Sequence, residues 1–145
     1  MASDIEYREI QTFPPAALAE IRRLYLLAGW CTEADDASFL PPLFAGSTLV
    51  LSAWSGDRLV GVGRAISDGC SDAYIQDVVV APEFRRRGIG AALVTGIAAR
   101  LRRRGVGWIG LVGAPGTEAF YASLGLSTPA HHTFWRFPDA PPAAE

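Results

Sequence analysis

The chain has 145 residues, half of them hydrophobic and 19% charged, which suits one domain with one core. This composition excludes a disordered polar chain, and no apolar run reaches the ~20 residues of a membrane-spanning helix. The N-terminal residues are acidic and contain no apolar stretch of the kind found in secretory signals. We therefore expect a cytoplasmic protein with a single domain over residues 1–137, a flexible tail over 138–145, and free thiols at Cys31 and Cys70.

The positive charges of the chain are concentrated in one segment. All 13 basic residues are Arg, and seven of them lie within residues 85–104, which contain no acid. The rest of the chain has six Arg against 15 acidic residues, so a segment of charge +7 is attached to a body of charge −9. This separation favours an anionic ligand at one place on the molecule and a cationic ligand at another.

The hydrophobic pattern predicts the element order β-α-βββ-α-β-α-β. The strands are expected over 5–12, 48–54, 58–67, 73–80, 107–112 and 132–137, the helices over 14–29, 88–104 and 117–124, and a further short helix near 37–44. Short connections indicate an antiparallel meander in the middle, and the strand–helix–strand unit over 73–112 indicates a right-handed crossover between parallel strands. The expected fold class is therefore α/β (α+β), with a central, mixed, mostly antiparallel sheet flanked by helices.

The strongest functional signal is the junction between the strand over 73–80 and the next helix. Its strand ends in Val78, Val79 and Val80, and its turn reads Arg85-Arg86-Arg87-Gly88-Ile89-Gly90-Ala91. The first amides of a helix have no internal partner, the helix dipole is positive there, and glycine lets an anion approach the backbone. The junction is therefore typical of a pyrophosphate site. It lacks the lysine of a Walker loop, and the third small residue and ribose-binding acid of a dinucleotide fingerprint.

Two motifs resemble the GNAT superfamily of N-acetyltransferases. The acetyl-CoA loop signature, Arg/Gln-x-x-Gly-x-Gly/Ala, reads Arg85-Arg86-Arg87-Gly88-Ile89-Gly90, and the later aromatic-Tyr box reads Phe120-Tyr121-Ala122-Ser123-Leu124-Gly125-Leu126. Their order, their spacing and the strand between them agree with the family over about residues 5–137. The segments 64–68 and 75–80, together with Ala28-Gly29-Trp30 and Phe134-Trp135, are similar to the small members that include plant-type serotonin N-acetyltransferases.

The resemblance implies the GNAT acyl-CoA N-acyltransferase fold, acetyl-CoA as co-substrate and no metal. It implies that backbone groups of Val78 to Val80 pair with the pantetheine arm. Amides of Arg86 to Ala91 would hold the pyrophosphate, supported by Arg85 or Arg87, and the sheet would open between the strands at 73–80 and 107–112. Tyr121 would protonate the departing thiolate. Ala114-Pro115-Gly116 stands where many relatives carry an Asn that holds pantetheine.

The chemistry of acetyl transfer also requires a group that handles the amine proton. An amine attacks a thioester only as the neutral base, whereas free amines are mostly protonated at neutral pH. Asp77 is the candidate, since it lies in an otherwise apolar strand beside the presumed thioester, and a salt-bridge or strand-capping role is the alternative.

Other residues are candidates for contact with the acceptor. Trp30, which leads into an irregular segment, is the candidate wall of the acceptor site, and the other tryptophans are expected mainly in the core. Glu33 and Asp68 are candidates for attracting a cationic amine, with ordinary solvated loop acids as the alternative.

These observations predict direct transfer of an acetyl group from acetyl-CoA to a primary amine, most simply that of a small molecule such as an arylalkylamine or a polyamine. A peptide N-terminus or a lysine stays open as acceptor. The alternatives are a non-catalytic acetyl-CoA-binding module and an RNA-directed protein that uses the +7 segment, with nucleic acid the less favoured partner. No membrane partner is expected, and homodimers are common among similar proteins.

Overall fold

A computed structural model describes residues 4–140, which divide after Val112 into two compact units. The first unit contains strands β1 (Ile5–Glu9), β2 (Leu49–Ser55), β3 (Arg58–Ser67), β4 (Asp72–Val80) and β5 (Trp108–Leu111), helices α1 (Pro15–Ala28), α2 (Leu40–Ala45) and α3 (Ile89–Arg103), and two 3₁₀ turns, Ala37–Phe39 and Pro82–Phe84. The second unit contains α4 (Glu118–Ser123). The predicted single domain over 1–137 stays a prediction, and its tail lies partly outside the described residues.

The five strands form one sheet in the order β1-β2-β3-β4-β5. The first four strands pair antiparallel, whereas β4 and β5 pair parallel because α3 carries the chain back across the sheet. The expected mixed, mostly antiparallel sheet with flanking helices is therefore confirmed.

The core of the first unit is built on both faces of this sheet. Helix α3 packs on β2, β3 and β4 through a buried stripe at the predicted spacing, namely Ile89, Leu93, Ile97 and Leu101. Gly63 of β3 allows this close approach, since a β-carbon there would lie 3.0 Å from Cδ1 of Ile97. Helix α1 packs on β3 and β4 and buries Ile21, Leu24 and Tyr25.

The ends of α1 are where the sequence predicts them. Proline occupies the first helical position, and Gly29 ends the helix in the left-handed conformation with φ +77°. The N–H of Gly29 donates to Leu26 O, and the N–H of Trp30 donates to Tyr25 O, so the last carbonyls are satisfied. Trp30 is thereby held directly after the helix.

Three expectations about the fold are wrong. Residues 132–137 form no strand, because an alternating pattern becomes a strand only where a neighbour supplies hydrogen bonds, and none does so among residues 4–140. Strand β1 ends at Glu9 rather than at residue 12, and Nε2 of Gln11 donates instead to the carbonyls of Phe44 and Ser47. Trp108 and Trp135, expected mainly in the core, are 49% and 86% exposed, whereas Trp54 is buried as expected.

The thiols of Cys31 and Cys70 are free, as predicted. Over residues 4–140, no helix combines the length and apolar character needed to cross a membrane.

Candidate active site

The turn between β4 and α3 has two residues in the left-handed conformation. Arg86 has φ +65° and Gly88, which caps the N-terminus of α3, has φ +79°. A β-carbon at Gly88 would meet no atom within 4 Å, so the backbone conformation rather than space favours glycine there. The predicted glycine turn is therefore formed, and it opens toward solvent.

The amides of this turn are not used by the protein itself. The first hydrogen bond of α3 runs from the N–H of Ala92 to Gly88 O, at 3.0 Å. Within the described part of the chain, the amides of residues 86–91 have no acceptor. Unpaired amides at the positive end of a 15-residue helix form a site that can bind an anion.

The arginines of the turn differ in their contacts. Nε of Arg85 donates to Val80 O at 3.2 Å, and the guanidinium of Arg87 lies 5.0 Å from the ring centroid of Phe84. Among residues 4–140, the guanidinium of Arg86 contacts no acid. Arg86 is therefore the arginine most available to an incoming anion.

The start of the turn is fixed by ion pairs to the rest of the first unit. Glu83 pairs with Arg58 of β3 and, at 3.2 Å, with Arg23 of α1. Arg23 also pairs with Glu20, at 3.1 Å. These contacts join α1 and β3 to the segment that leads into the anion site.

The sheet opens beside the same segment. Strand β4 pairs with β5 only from Asp72, opposite Trp108, to Ile75, opposite Leu111. Residues 76–80 continue without a β5 partner, although Val79 and Val80 remain paired with β3 on the other edge. Within residues 4–140, the edge of Val78 to Val80 away from β3 therefore has no neighbouring strand, although Val80 O already accepts from Nε of Arg85. The resemblance implies that pantetheine binds along this edge.

Strand β4 contains a bulge at Asp77. Arg64 lies opposite Gln76 and Val62 lies opposite Val79, so Gly63 alone faces two residues of β4. Asp77 takes φ +53°, a conformation that residues with a β-carbon rarely adopt. An extra residue of this kind redirects the side chain, and the carboxylate of Asp77 lies on the α1 face of the sheet.

The carboxylate of Asp77 is held through only one of its oxygens. Nε of Arg64 donates to Oδ2 at 2.8 Å, and the hydroxyl of Tyr25 donates to the same oxygen at 3.1 Å. Oδ1 has no partner within residues 4–140, and the side chain keeps 22% of its surface exposed. The guanidinium and the phenol hold Oδ2 in place, while Oδ1 is available to accept a further hydrogen bond.

Tyr25 joins Asp77 to the predicted acceptor wall. Burial, reinforced by the charge of Asp77, raises the pKa of Tyr25 far above its ordinary value, so its hydroxyl remains a donor. Trp30 packs edge-on against the Tyr25 ring with a centroid distance of 5.1 Å. Tyr25 and Arg64 were missed as site residues, because the helical pattern explains Tyr25 as a core residue and nothing in the sequence pairs Arg64 with Asp77.

The two other acids predicted to attract an amine are engaged elsewhere. Glu33 is exposed and lies 3.6 Å from Arg22. Asp68 accepts hydrogen bonds from the N–H groups of Cys70 and Ser71 at 2.9 and 2.7 Å, and these bonds lower its pKa. Asp68 thus closes the β3–β4 turn, at the end of β4 opposite the anion site. A role for either acid in acceptor binding stays a prediction.

The +7 segment is partly neutralised within the first unit. Glu9 of β1 pairs with Arg100 at 3.3 Å and with Arg104 at 2.6 Å. Arg102 and Arg103 are exposed in the last turn of α3, where the dipole favours cations. The ion pairs with Glu9 and the helix dipole therefore explain the arginines near the end of α3 without a ligand.

In the second unit, α4 carries Tyr121. Its ring packs edge-on against Phe120 with a centroid distance of 5.0 Å, and a β-carbon at Gly113 would lie 3.3 Å from it. Burial raises the pKa of Tyr121, so the phenol is protonated at neutral pH. Among the residues that the structure describes, its hydroxyl has no hydrogen-bond partner. These features suit a proton donor.

The comparisons with known proteins identify the class. A model of the acetyltransferase (GNAT) family matches residues 15–126, so the chain belongs to that family. It is 40% identical over 69 residues to GCN5-related N-acetyltransferase 2, chloroplastic, from Arabidopsis thaliana, and 38% identical over 73 residues to serotonin N-acetyltransferase 2, chloroplastic, from Oryza sativa subsp. japonica. The matched segments cover 48% and 50% of this chain, but only 27% and 36% of those relatives.

A solved structure supports the fold along almost the whole chain. The aminoglycoside acetyltransferase AAC(6')-Iy, in complex with a CoA-containing bisubstrate analogue, superimposes with a TM-score of 0.71 at 18% identity. The match covers 94% of this chain and 100% of that one. The GNAT fold predicted from the two motifs is thereby confirmed.

Proposed function

We propose that the protein transfers an acetyl group from acetyl-CoA to the primary amine of a small molecule. The observation that carries the proposal is the pairing of two features at one end of β4. Among the residues that the structure describes, the amides of residues 86–91 lack acceptors, and residues 76–80 lack a β5 partner. The first feature suits a pyrophosphate and the second suits an extended pantetheine arm. The CoA complex of the structural relative supports the same ligand.

The transfer is direct. The neutral amine nitrogen attacks the thioester carbonyl carbon, a C–N bond forms and the C–S bond breaks. Tyr121 donates its proton to the departing thiolate, and the proton lost by the amine returns to the phenol through solvent. Proton transfer of this kind contributes typically about 10²–10⁴-fold to a rate, and positioning of the two reactants contributes further.

Asp77 orients the amine, or a water molecule that takes its proton, through Oδ1. Because Arg64 and Tyr25 both donate to Oδ2, Oδ1 is the oxygen of Asp77 that can accept a hydrogen bond from the amine or the water. Trp30 forms a wall beside it through its contact with Tyr25. An anion with one free oxygen favours an acceptor that arrives as an ammonium ion.

The test is a turnover screen with acetyl-CoA and purified protein over amines, diamines, amino acids and peptides. Free thiol and the N-acetyl product are measured together. The proposal predicts thiol release that depends on a small amine and equals the N-acetyl product in amount. Binding of acetyl-CoA without release by any acceptor would identify the non-catalytic alternative.

The RNA-directed alternative predicts a different result. Binding through several phosphate contacts falls steeply with salt, and the pairing of Glu9 with Arg100 and Arg104 engages two of the seven arginines of this segment. Retention on RNA at about 200 mM salt would favour that alternative. The cytoplasmic location and a homodimer stay predictions, although both curated relatives named above carry the word chloroplastic.

A further inference from the structure

Four charged side chains form a cluster next to the turn at residues 86–91. Oε1 of Glu83 accepts hydrogen bonds from the guanidiniums of both Arg58 and Arg23, the latter at 3.2 Å. Glu20 lies 3.1 Å from Arg23 and 3.7 Å from Arg58, so each acid contacts each arginine. We call Glu20, Arg23, Arg58 and Glu83 the Glu83 cluster. Its two arginines and two acids cancel in charge, so the cluster adds no net charge beside the turn.

Phe84 connects the Glu83 cluster to the turn. The guanidinium of Arg58 lies 5.6 Å from the centroid of the Phe84 ring, and that of Arg87 lies 5.0 Å from the same centroid. Both distances are within the roughly 6 Å over which a cation is attracted to an aromatic ring. Arg87 of the turn is therefore joined to the cluster through one aromatic side chain.

The turn has little backbone support of its own. The 3₁₀ hydrogen bonds before it end with the N–H of Arg85, which donates to Pro82 O at 3.3 Å. In the part of the chain that the structure describes, the amides that follow, at residues 86–91, have no acceptor. Donors that are fixed before a ligand arrives lose less conformational freedom on binding. The side chains of Glu83 and Phe84 supply such fixing contacts, to β3 and α1.

The charge of Glu83 is by itself unfavourable beside an anion. Hydrogen bonds from its own backbone N–H and from Arg58 lower the pKa of Glu83, so it is charged at neutral pH. If Glu83 contributed only this charge, its removal would strengthen the binding of an anionic ligand, because like charges repel. If it holds the turn, its removal would weaken that binding. The two roles therefore predict changes of opposite sign.

We propose that Glu83 is a positioning residue for acetyl-CoA, which acts through Arg58 and Phe84 to hold the turn at residues 86–91 in its binding conformation. The inference rests on the proposed binding of acetyl-CoA, and it goes further because it makes affinity for an anion depend on an acid. Single exposed ion pairs contribute little to stability, whereas several charges in one network contribute more. The effect is therefore expected in the affinity for the pyrophosphate rather than in the fold.

The experiment measures the dissociation constant of CoA by calorimetry for the wild type, Glu83→Gln and Glu9→Gln. Glu9→Gln is the matched control, because Glu9 also pairs with two arginines and has a similarly exposed side chain, 38% against 43%, but contacts the C-terminal end of α3. We expect Glu83→Gln to raise the dissociation constant about fivefold, the change that one ion pair in a network supplies. Glu9→Gln should stay within about twofold of the wild type.

Two further measurements separate positioning of the turn from a general loss of stability. S-acetylpantetheine carries the thioester but no pyrophosphate. Glu83→Gln is therefore expected to lower kcat/KM about fivefold for acetyl-CoA and to leave kcat/KM for S-acetylpantetheine unchanged. Phe84→Leu keeps the ion pairs of Glu83 but removes the ring between the cluster and Arg87, and it should also raise the dissociation constant of CoA.

Several outcomes would overturn the inference and leave the proposed function intact. Unchanged or tighter binding of CoA by Glu83→Gln would show that the acid adds only its charge. An equal weakening in Glu9→Gln, an equal loss with both thioesters, or unchanged affinity in Phe84→Leu would each contradict positioning through the turn. The absence of CoA binding by the wild-type protein would instead overturn the proposed function, and the inference with it.

Discussion

The hydroxyl of Tyr25 in α1 donates to Oδ2 of Asp77 at the residue where β4 bulges, over a distance of 3.1 Å. The donor is buried, and the acceptor carries the unusual φ of +53°. The contact therefore holds a strained backbone and one carboxylate oxygen at the same time. Both this contact and that of Arg64 go to Oδ2, so Oδ1 has no partner among residues 4–140.

Tyr25→Phe tests whether this hydrogen bond positions Asp77. The substitution keeps the ring and its contact with Trp30 but removes a hydrogen bond to a charged group, which is worth about 1.5–3 kcal/mol. We expect kcat/KM for the amine to fall by about tenfold with acetyl-CoA affinity unchanged. Steady-state kinetics and calorimetry measure the two quantities, and an unchanged kcat/KM would show that Arg64 alone suffices.

Asp77→Asn tests the carboxylate itself. The amide keeps the shape of the side chain but not its charge, so we expect kcat/KM for the amine to fall by about 100-fold. Asp57→Asn, in the exposed β2–β3 turn, is the matched control and is expected to stay within about twofold of wild type. Equal activities for the two variants would remove Asp77 from the account.

Gly88→Ala tests whether the turn at residues 86–91 binds acetyl-CoA, and Gly29→Ala controls for the loss of stability that such a substitution causes. A β-carbon in the left-handed conformation costs about 1–2 kcal/mol, and Gly29 at the end of α1 has nearly the same φ, with equally open space around its Cα. Gly29→Ala should therefore lower the melting temperature about as much as Gly88→Ala. Only Gly88→Ala is expected to weaken acetyl-CoA binding. A similar loss of affinity in both variants would indicate that global stability, rather than the turn, sets the affinity.

Tyr121→Phe tests the proton donor. We expect kcat to fall by about 100-fold while the dissociation constant of acetyl-CoA stays within about twofold of wild type. Rapid-mixing kinetics and calorimetry separate the two effects. Wild-type turnover in this variant would exclude Tyr121 as the acid.

The pH dependence of kcat provides a second check on Tyr121. Burial raises its pKa above the ordinary 10.0, and the phenol donates only while it is protonated. Deprotonation of Tyr121 is therefore expected to lower kcat only above pH 10, and this decrease should be absent in Tyr121→Phe. The raised pKa also makes the free energy of unfolding depend on pH. The contribution of Tyr121 is fully present below the unfolded-state pKa of about 10, and it is lost as the pH rises through the folded-state pKa. A wild-type decline centred below pH 9 that Tyr121→Phe abolishes would contradict this assignment.

Local signals were sufficient for most of the fold. Strand β3 lies over Arg58–Ser67 as predicted, because its alternation is bounded by clear turns. The stripe of α3 is buried because one helical face carries nearly all of its large apolar residues. In contrast, the strand predicted over 132–137 has the right pattern, but a strand also needs a neighbour that no local pattern specifies.

The candidate site was predictable only in part. The turn at Gly88 could be predicted because the residues that form it follow one another in the sequence. The bulge at Asp77 depends on Gly63 of another strand facing two residues, and the hydrogen bond from Tyr25 spans 52 positions in the chain. Such contacts follow from the register of the sheet rather than from any local pattern, so the sequence could suggest Asp77 but not its partners.

We propose that the turn at residues 86–91 and the edge of β4 beyond Ile75 together bind acetyl-CoA. Calorimetric titration of the purified protein with acetyl-CoA measures this directly. We expect saturable binding of one acetyl-CoA per chain, with a dissociation constant well below the millimolar range. Gly88→Ala is expected to raise this constant. No heat of binding with millimolar acetyl-CoA or CoA would contradict it.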